Sequence, residues 1–197
     1  MLELREIASV LSGVSVRETK DGSARFMRLS DLSDVLAGRP PVLAAGEAPI
    51  VARALTIEEG DLIVGARGAA TDVCLATSAI FGAFVSLDLY LVRPDKAKVD
   101  PQYLAAFLGL PATQAVFGGG KQGSGLARLP KDALERVRVL VPSMQSQILI
   151  AALARSFEDE TRLRKKLTNL RSFLGRETVA RAIGMADTRQ DSLRSPQ

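Results

Sequence analysis

The chain has 197 residues, 47% of them hydrophobic, enough for one ordinary domain with its own core plus an appendage. It contains no histidine and one cysteine, Cys74, which removes Ser-His-Asp and Cys-His catalysis, disulfide stapling and most zinc sites. The net charge of +4 is uneven: residues 1–142 carry sixteen Lys/Arg against sixteen Asp/Glu, and the remainder ten against six. A neutral globular part that bound nucleic acid would need a local basic face, because whole-domain attraction to phosphate is missing.

The N-terminus MLELREIASVL is charged and amphipathic, unlike a secretory leader, and no stretch has the length of a membrane span. Cys74 lies in the apolar run VCLATSAIF and reads as a small buried side chain in a reducing cytoplasm. Carboxylates alone remain for metal or acid-base work, and they form no cluster of convincing spacing.

Residues 2–11 predict a strand leading into a helical turn that Gly13 ends. The run RFMRLSDL, residues 25–32, alternates as a strand and leads into a polar loop through Gly38, Arg39, Pro40 and Pro41. In EEGDLIVGARG, residues 58–68, Glu59-Gly60-Asp61 predicts a turn, Leu62 to Ala66 a strand, and Arg67-Gly68 its exit. Residues 73–80 and 84–92 are further apolar stretches. The second puts Val85, Leu87, Leu89 and Leu91 opposite Ser86, Asp88 and Tyr90, the pattern of a half-buried strand.

Asp100 and Pro101 open an amphipathic helix that Pro111 breaks or kinks. Residues 118–130, GGGKQGSGLARLP, predict a glycine-laden, positively charged loop, followed by a helical turn over 131–136 and a strand over 137–141. After Pro142 comes a helix of some forty residues without glycine or proline until Gly175. At about 1.5 Å per residue it is about 60 Å long, too long for the preceding residues to cover. The expectation is an α+β fold: a domain of mixed strands and short helices over 1–142, one long coiled-coil helix over 143–184, and an aperiodic, disordered tail over 185–197.

Gly118, Gly120 and Gly123 satisfy G-x-G-x-x-G, but a helix precedes them and no helix opens from them, so the dinucleotide reading fails. A Walker loop fails because Gln122 stands where Ser or Thr should follow Lys121. The loop is either a phosphate- and base-contacting element through Lys121, Gln122, Ser124 and Arg128, or a solvated connection. Arg67, between two small residues at a strand exit, either pairs with Asp61 or Asp72 or reaches DNA. Arg25 and Arg28, three apart on a strand, would face opposite ways.

Leu163, Leu167, Leu170 and Leu174 repeat at spacings of four, three and four, a coiled-coil seam. Carried backwards, the register meets Glu160, Ser156, Leu153 and Leu149, so it is interrupted over 156–161. The reading is of two environments: Leu149, Leu153 and Phe157 dock on the chain's own domain, and the leucines from 163 onward on another helix. Arg164, Lys165 and Lys166 read as a solvated face. The aminomethyltransferase motif, a cofactor loop after an early strand and a nuclease-like carboxylate set are all absent, which points away from an enzyme.

In this order, LELREIASVLSG, EEGDLIVGARG, VDPQYLAAFL and LERVRVLVPSMQSQILIAAL resemble the specificity subunit of type I restriction-modification systems. The strand, Pro142, Gln147 and helix junction is the most specific element. The resemblance implies a target-recognition domain and spacer helix that bind double-stranded DNA and a DNA methyltransferase, with or without a restriction subunit, and that have no catalytic site and no cofactor. The usual subunit has two recognition domains and two spacers; this chain has half of each. The resemblance therefore implies a homodimer through Leu163, Leu167, Leu170 and Leu174 that reads an interrupted palindrome. It directs attention to Arg67, Lys121, Gln122, Ser124 and Arg128. The competing reading is a protein-interaction scaffold that dimerises without touching DNA.

Overall fold

The structure, a computed structural model, describes residues 1–50, 54–68, 70–121 and 127–193, with side chains as far as Gly184. The chain divides into two units, Met1–Leu153 and Ala154–Gln197. The architecture is the expected α+β type, mixed strands and short helices followed by one long C-terminal helix.

At the N-terminus a two-residue strand β1 (Leu2–Glu3), one helical turn α1 (Leu4–Ile7) and a strand β2 (Ala8–Ser12) follow one another directly. Then come β3 (Ala24–Met27), α2 (Leu29–Leu36) and β4 (Ala44–Gly46). The strand expected over 25–32 therefore stops at Met27. Asp31 is the reason: its Oδ2 accepts the N–H of Arg28 at 2.8 Å and caps a helix whose Leu32 packs inward. Arg28 leaves the strand with it, so the opposite-face argument for Arg25 and Arg28 has no footing. The Arg28 guanidinium lies 3.3 Å from Glu18 and 3.4 Å from both oxygens of Asp31, and the hydrogen bond to Asp31 raises its pKa above the ordinary arginine value.

The centre of the domain is a four-stranded antiparallel sheet, β2 beside β8 (Leu89–Pro94), then β5 (Leu62–Gly65), then β6 (Val73–Leu75). A second sheet joins β4, β3 and β7 (Phe84–Val85), and β1 pairs with β9 (Arg138–Val139). Residues 84–92 are not one half-buried strand. The chain turns at Ser86–Asp88, which leaves Leu87 49% exposed. After the turn, Leu89, Tyr90, Leu91 and Val92 are all at most 1% exposed.

The alternation persists, but both faces are covered. Leu62, Val64, Tyr90 and Val92 join one core cluster and Ile63, Leu89 and Leu91 the other. A strand packed on both sides buries every residue and loses its polar face. The first cluster is roofed by α3 (Pro101–Gly109) and α4 (Pro111–Gly120) through Tyr103, Leu104, Leu108 and Phe117. The second is closed by Met27, Leu32, Ile57 and Ile80. Cys74 sits in this second cluster, 6% exposed, as its apolar setting predicts.

Asp100 caps α3 by accepting the N–H of Tyr103 at 2.8 Å, and Pro111 divides the expected single helix into α3 and α4. The first glycines of the supposed loop, Gly118 to Gly120, are helical. After α5 (Lys131–Glu135) and β9, α6 runs Met144–Leu193, into the segment expected to be aperiodic. No described helix is long and apolar enough to cross a membrane.

Candidate nucleic-acid interface

The exit of β5 is held from both sides. Ala66 N–H donates to the carbonyl of Asp88 at 2.8 Å, and the Ala66 carbonyl accepts from Leu129 N–H, also at 2.8 Å. Arg67 and Arg128 consequently face each other in an isolated antiparallel bridge. Residues 61 positions apart in sequence become neighbours because the segment around Leu129 returns along the strand end.

Their side chains meet at Asp88. Arg67 Nε lies 2.6 Å from Asp88 Oδ1 and Arg128 Nη1 lies 3.9 Å from the same oxygen. The Arg67 contact is an ion pair and not an aligned hydrogen bond, since its Nε–H has no acceptor in line. Arg128 also lies over the ring of Tyr90, 5.4 Å from its centroid, and Tyr90 Oη donates to the carbonyl of Leu129 at 2.7 Å. Lys121 reaches the same strand exit, its Nζ donating to the carbonyl of Gly68 at 2.6 Å. Gly68 has φ +107°, a backbone that a β-branched residue could not hold.

Three of the five residues chosen from sequence, Arg67, Lys121 and Arg128, thus gather at one strand exit. Gln122 and Ser124 lie outside the described residues. Two of these cations, Arg67 and Arg128, share the Asp88 carboxylate, and Lys121 stands at the Gly68 carbonyl beside them; Arg67, Asp88 and Arg128 are between 34% and 45% exposed. The Arg128 guanidinium, 3.9 Å from Asp88 and 34% exposed, is open to a phosphate oxygen from solvent, whereas Arg67 Nε is buried against Asp88.

Neither of the expected partners holds Arg67. Asp61, 1% exposed, is committed elsewhere: Arg93 grips it with Nε at 2.8 Å and Nη2 at 2.7 Å, and it accepts the N–H of Glu58 at 2.7 Å. The hydrogen bond that Arg93 donates to Asp61 raises the arginine's pKa above its ordinary value. Asp61 is therefore the fastener of the turn that launches β5, with Gly60 at φ +91° beside it.

Gln114 was not singled out by sequence. Its Oε1 accepts Thr71 N–H at 3.2 Å and its Nε2 donates to the carbonyls of Thr71 at 2.8 Å and Leu108 at 2.9 Å. It ties the segment after Gly68 to α4. A lone glutamine in a helix has no pattern that would have announced this.

On α6 the predicted seam is exposed: Leu163, Leu167, Leu170 and Leu174 are 63%, 49%, 51% and 62% accessible. Of the residues expected to dock on the domain, Leu149, Leu153 and Phe157, the two that share its unit, Leu149 and Leu153, do not: they are 66% and 59% exposed. The docked side chains are Gln147 and Ala151, 1% and 4% exposed. Helical geometry explains it, because Gln147 and Ala151, one turn apart, point roughly opposite to Leu149 and Leu153. Among the described residues no group of three Cys, Asp or Glu side chains is placed to hold a metal.

The backbone has the fold of the S subunits of type I restriction-modification systems. The S subunit from M. genitalium superposes with TM-score 0.55 at 13% identity, over 80% of this chain and 38% of that one. The HsdS subunit from Thermoanaerobacter tengcongensis gives TM-score 0.58 at 16% identity, over 83% and 37%. A third structure, described as showing complex assembly and conformational transition of the type I R-M system, gives TM-score 0.61 at 15% identity, over 84% and 39%. The chain thus spans about two fifths of the length of these structures, 37–39%. No protein-family profile and no curated protein sequence matches it.

Proposed function

We propose that this chain is the DNA-specificity subunit of a type I restriction-modification complex. It acts as a homodimer that reads double-stranded DNA at an interrupted palindromic site. It brings a DNA methyltransferase there, and a restriction subunit in systems that have one. It performs no catalytic step, takes no cofactor and works in the cytoplasm.

The observation that carries this reading is the convergence of Arg67, Lys121 and Arg128 on one strand exit within an S-subunit fold. Cations gathered on one face of a domain that is charge-balanced as a whole give a local phosphate-binding face, which is what a neutral domain needs to hold DNA. Two such faces related by a two-fold axis read two half-sites of opposite polarity, hence a palindrome.

Fluorescence anisotropy on a random duplex pool, with and without the methyltransferase partner, tests this. Binding that weakens as salt rises from 50 to 200 mM, with a palindrome enriched among the selected duplexes, is expected. An intact dimer that binds no duplex at any of these salts would leave the scaffold reading in its place.

A further inference from the structure

We infer that two copies of α6 pair antiparallel in one particular register, with the two-fold axis passing between Thr161 and Arg162; this rests on the homodimer reading above. The heptad that contains Leu163, Leu167, Leu170 and Leu174 also contains Leu149 and Leu153. Because Gln147 and Ala151 take the docked side, Leu149 and Leu153 stay exposed and belong to the same apolar stripe. The stripe is thus six leucines long, with Ser156 and Glu160 at its middle.

Antiparallel helices place an a residue of one against a d residue of the other, so the heptad allows only registers seven residues apart. Centred between Thr161 and Arg162, Leu149 meets Leu174 of the second copy and Leu153 meets its Leu170. Ser156 then meets Leu167 and Glu160 meets Leu163, so every exposed leucine of the stripe has a core position. On the flank, Asp159 faces Lys166 of the second copy and Ala152 faces Phe173, whose ring is 53% exposed. Opposite charges and a small residue against a large one both favour this alignment.

The neighbouring registers lose on charge. Moving the axis to residue 165 brings Lys166 onto Lys166 and Arg164 onto Arg164. Moving it seven half-steps further brings Glu160 onto Glu177 and Arg164 onto Arg171, and leaves Leu149 and Leu153 unpaired. Moving it the other way sets Asp159 against Asp159. A parallel pair would stack Glu160 on Glu160 in the core. Within its own helix Asp159 already holds Arg162 at 2.6 Å, which leaves its second oxygen for Lys166 of the other copy. The interruption over 156–161 therefore lies at the centre of the interface, where polar core residues fix the register at some expense of stability. It sets the distance between the two Gln147 anchors at about 44 Å along the helices, against about 65 Å for the register two heptads away.

Cysteine pairs in a Cys74→Ala background read the register directly. Under mild oxidation Ala152→Cys with Phe173→Cys should give a covalent dimer. Lys166→Cys alone, Lys166→Cys with Phe173→Cys, Asp159→Cys alone and Leu167→Cys alone, which report the other antiparallel registers and the parallel pair, should not. Asp159→Lys and Lys166→Asp should each weaken the dimer about tenfold, and the double reversal should restore it. A dimer by light scattering that cross-links through one of the other sets, or that the double reversal does not rescue, overturns the register alone. A monomer in light scattering, with no cross-link from any set, overturns the homodimer reading itself.

Discussion

Gln147 accepts the backbone N–H of Asp100 through Oε1 at 2.8 Å, so a side chain on the long helix completes the start of α3. Its Nε2 donates to the carbonyls of Pro142 at 2.9 Å and Lys98 at 3.3 Å. One buried amide thereby satisfies three backbone groups from two loops, which is why the junction of strand, proline and helix carries a glutamine. Gln147→Leu should leave those groups unpaired and cost about 2–3 kcal/mol in urea unfolding. Gln147→Glu should cost at least as much, because the carboxylate would face two carbonyls it cannot donate to.

Gly13 is needed for space. A Cβ there would overlap the carbonyl oxygen of Ser86, a backbone atom in the turn between β7 and β8 that cannot swing away. Gly13→Ala should destabilise the domain by about 3 kcal/mol or more, read as a lower thermal midpoint. A midpoint within a degree of wild type would show that the two loops separate easily.

Arg128→Ala and Lys121→Ala should each weaken DNA binding and reduce the slope of log affinity against log salt by about one. Asp88→Asn should act in the opposite sense, strengthening binding to random duplex, since the carboxylate competes with phosphate for Arg67 and Arg128. Titrations at several salt concentrations read both effects. Unaltered curves for all three variants would place the interface elsewhere on the domain.

Leu167→Glu combined with Leu170→Glu should halve the mass seen by light scattering at micromolar concentration. The domain's thermal midpoint should hardly change, because both side chains are exposed in the single chain. A dimer that persists would remove the leucine seam as its basis.

Cys74 should be inert in the native protein. Burial pushes its thiol from 9.0 up to about 12, so the folded state keeps a proton that the unfolded chain releases. The corresponding stability is complete at neutral pH and is lost as pH rises from about 9 towards 12. A thiol reagent at pH 8 should label Cys74 only in denaturant, and Cys74→Ala should lessen the alkaline loss of stability.

Periodicity located β5, the Asp100 cap, the break at Pro111, α5 and the long helix, because each is announced within a few residues by alternation, a cap or a proline. It failed where a distant element decided. Residues 84–92 alternate as a half-buried strand should, yet the sheet is covered on both faces, so Tyr90 is as buried as Leu89. The run over 25–32 became a strand and a helix because the Asp31 carboxylate closed on Arg28.

The sequence alone determined that no histidine is available for catalysis or metal binding, that the globular part is charge-balanced, and that α6 carries a leucine repeat, since these are properties of the chain and not of its path. Only the tertiary structure decided that Arg67 and Arg128 share one carboxylate, that Asp61 belongs to Arg93, and that Gln147 and Ala151, not Leu149 and Leu153, are the docked side of α6. Contacts between residues dozens of positions apart depend on which strand ends meet and which helix face is covered first, and no local pattern records that.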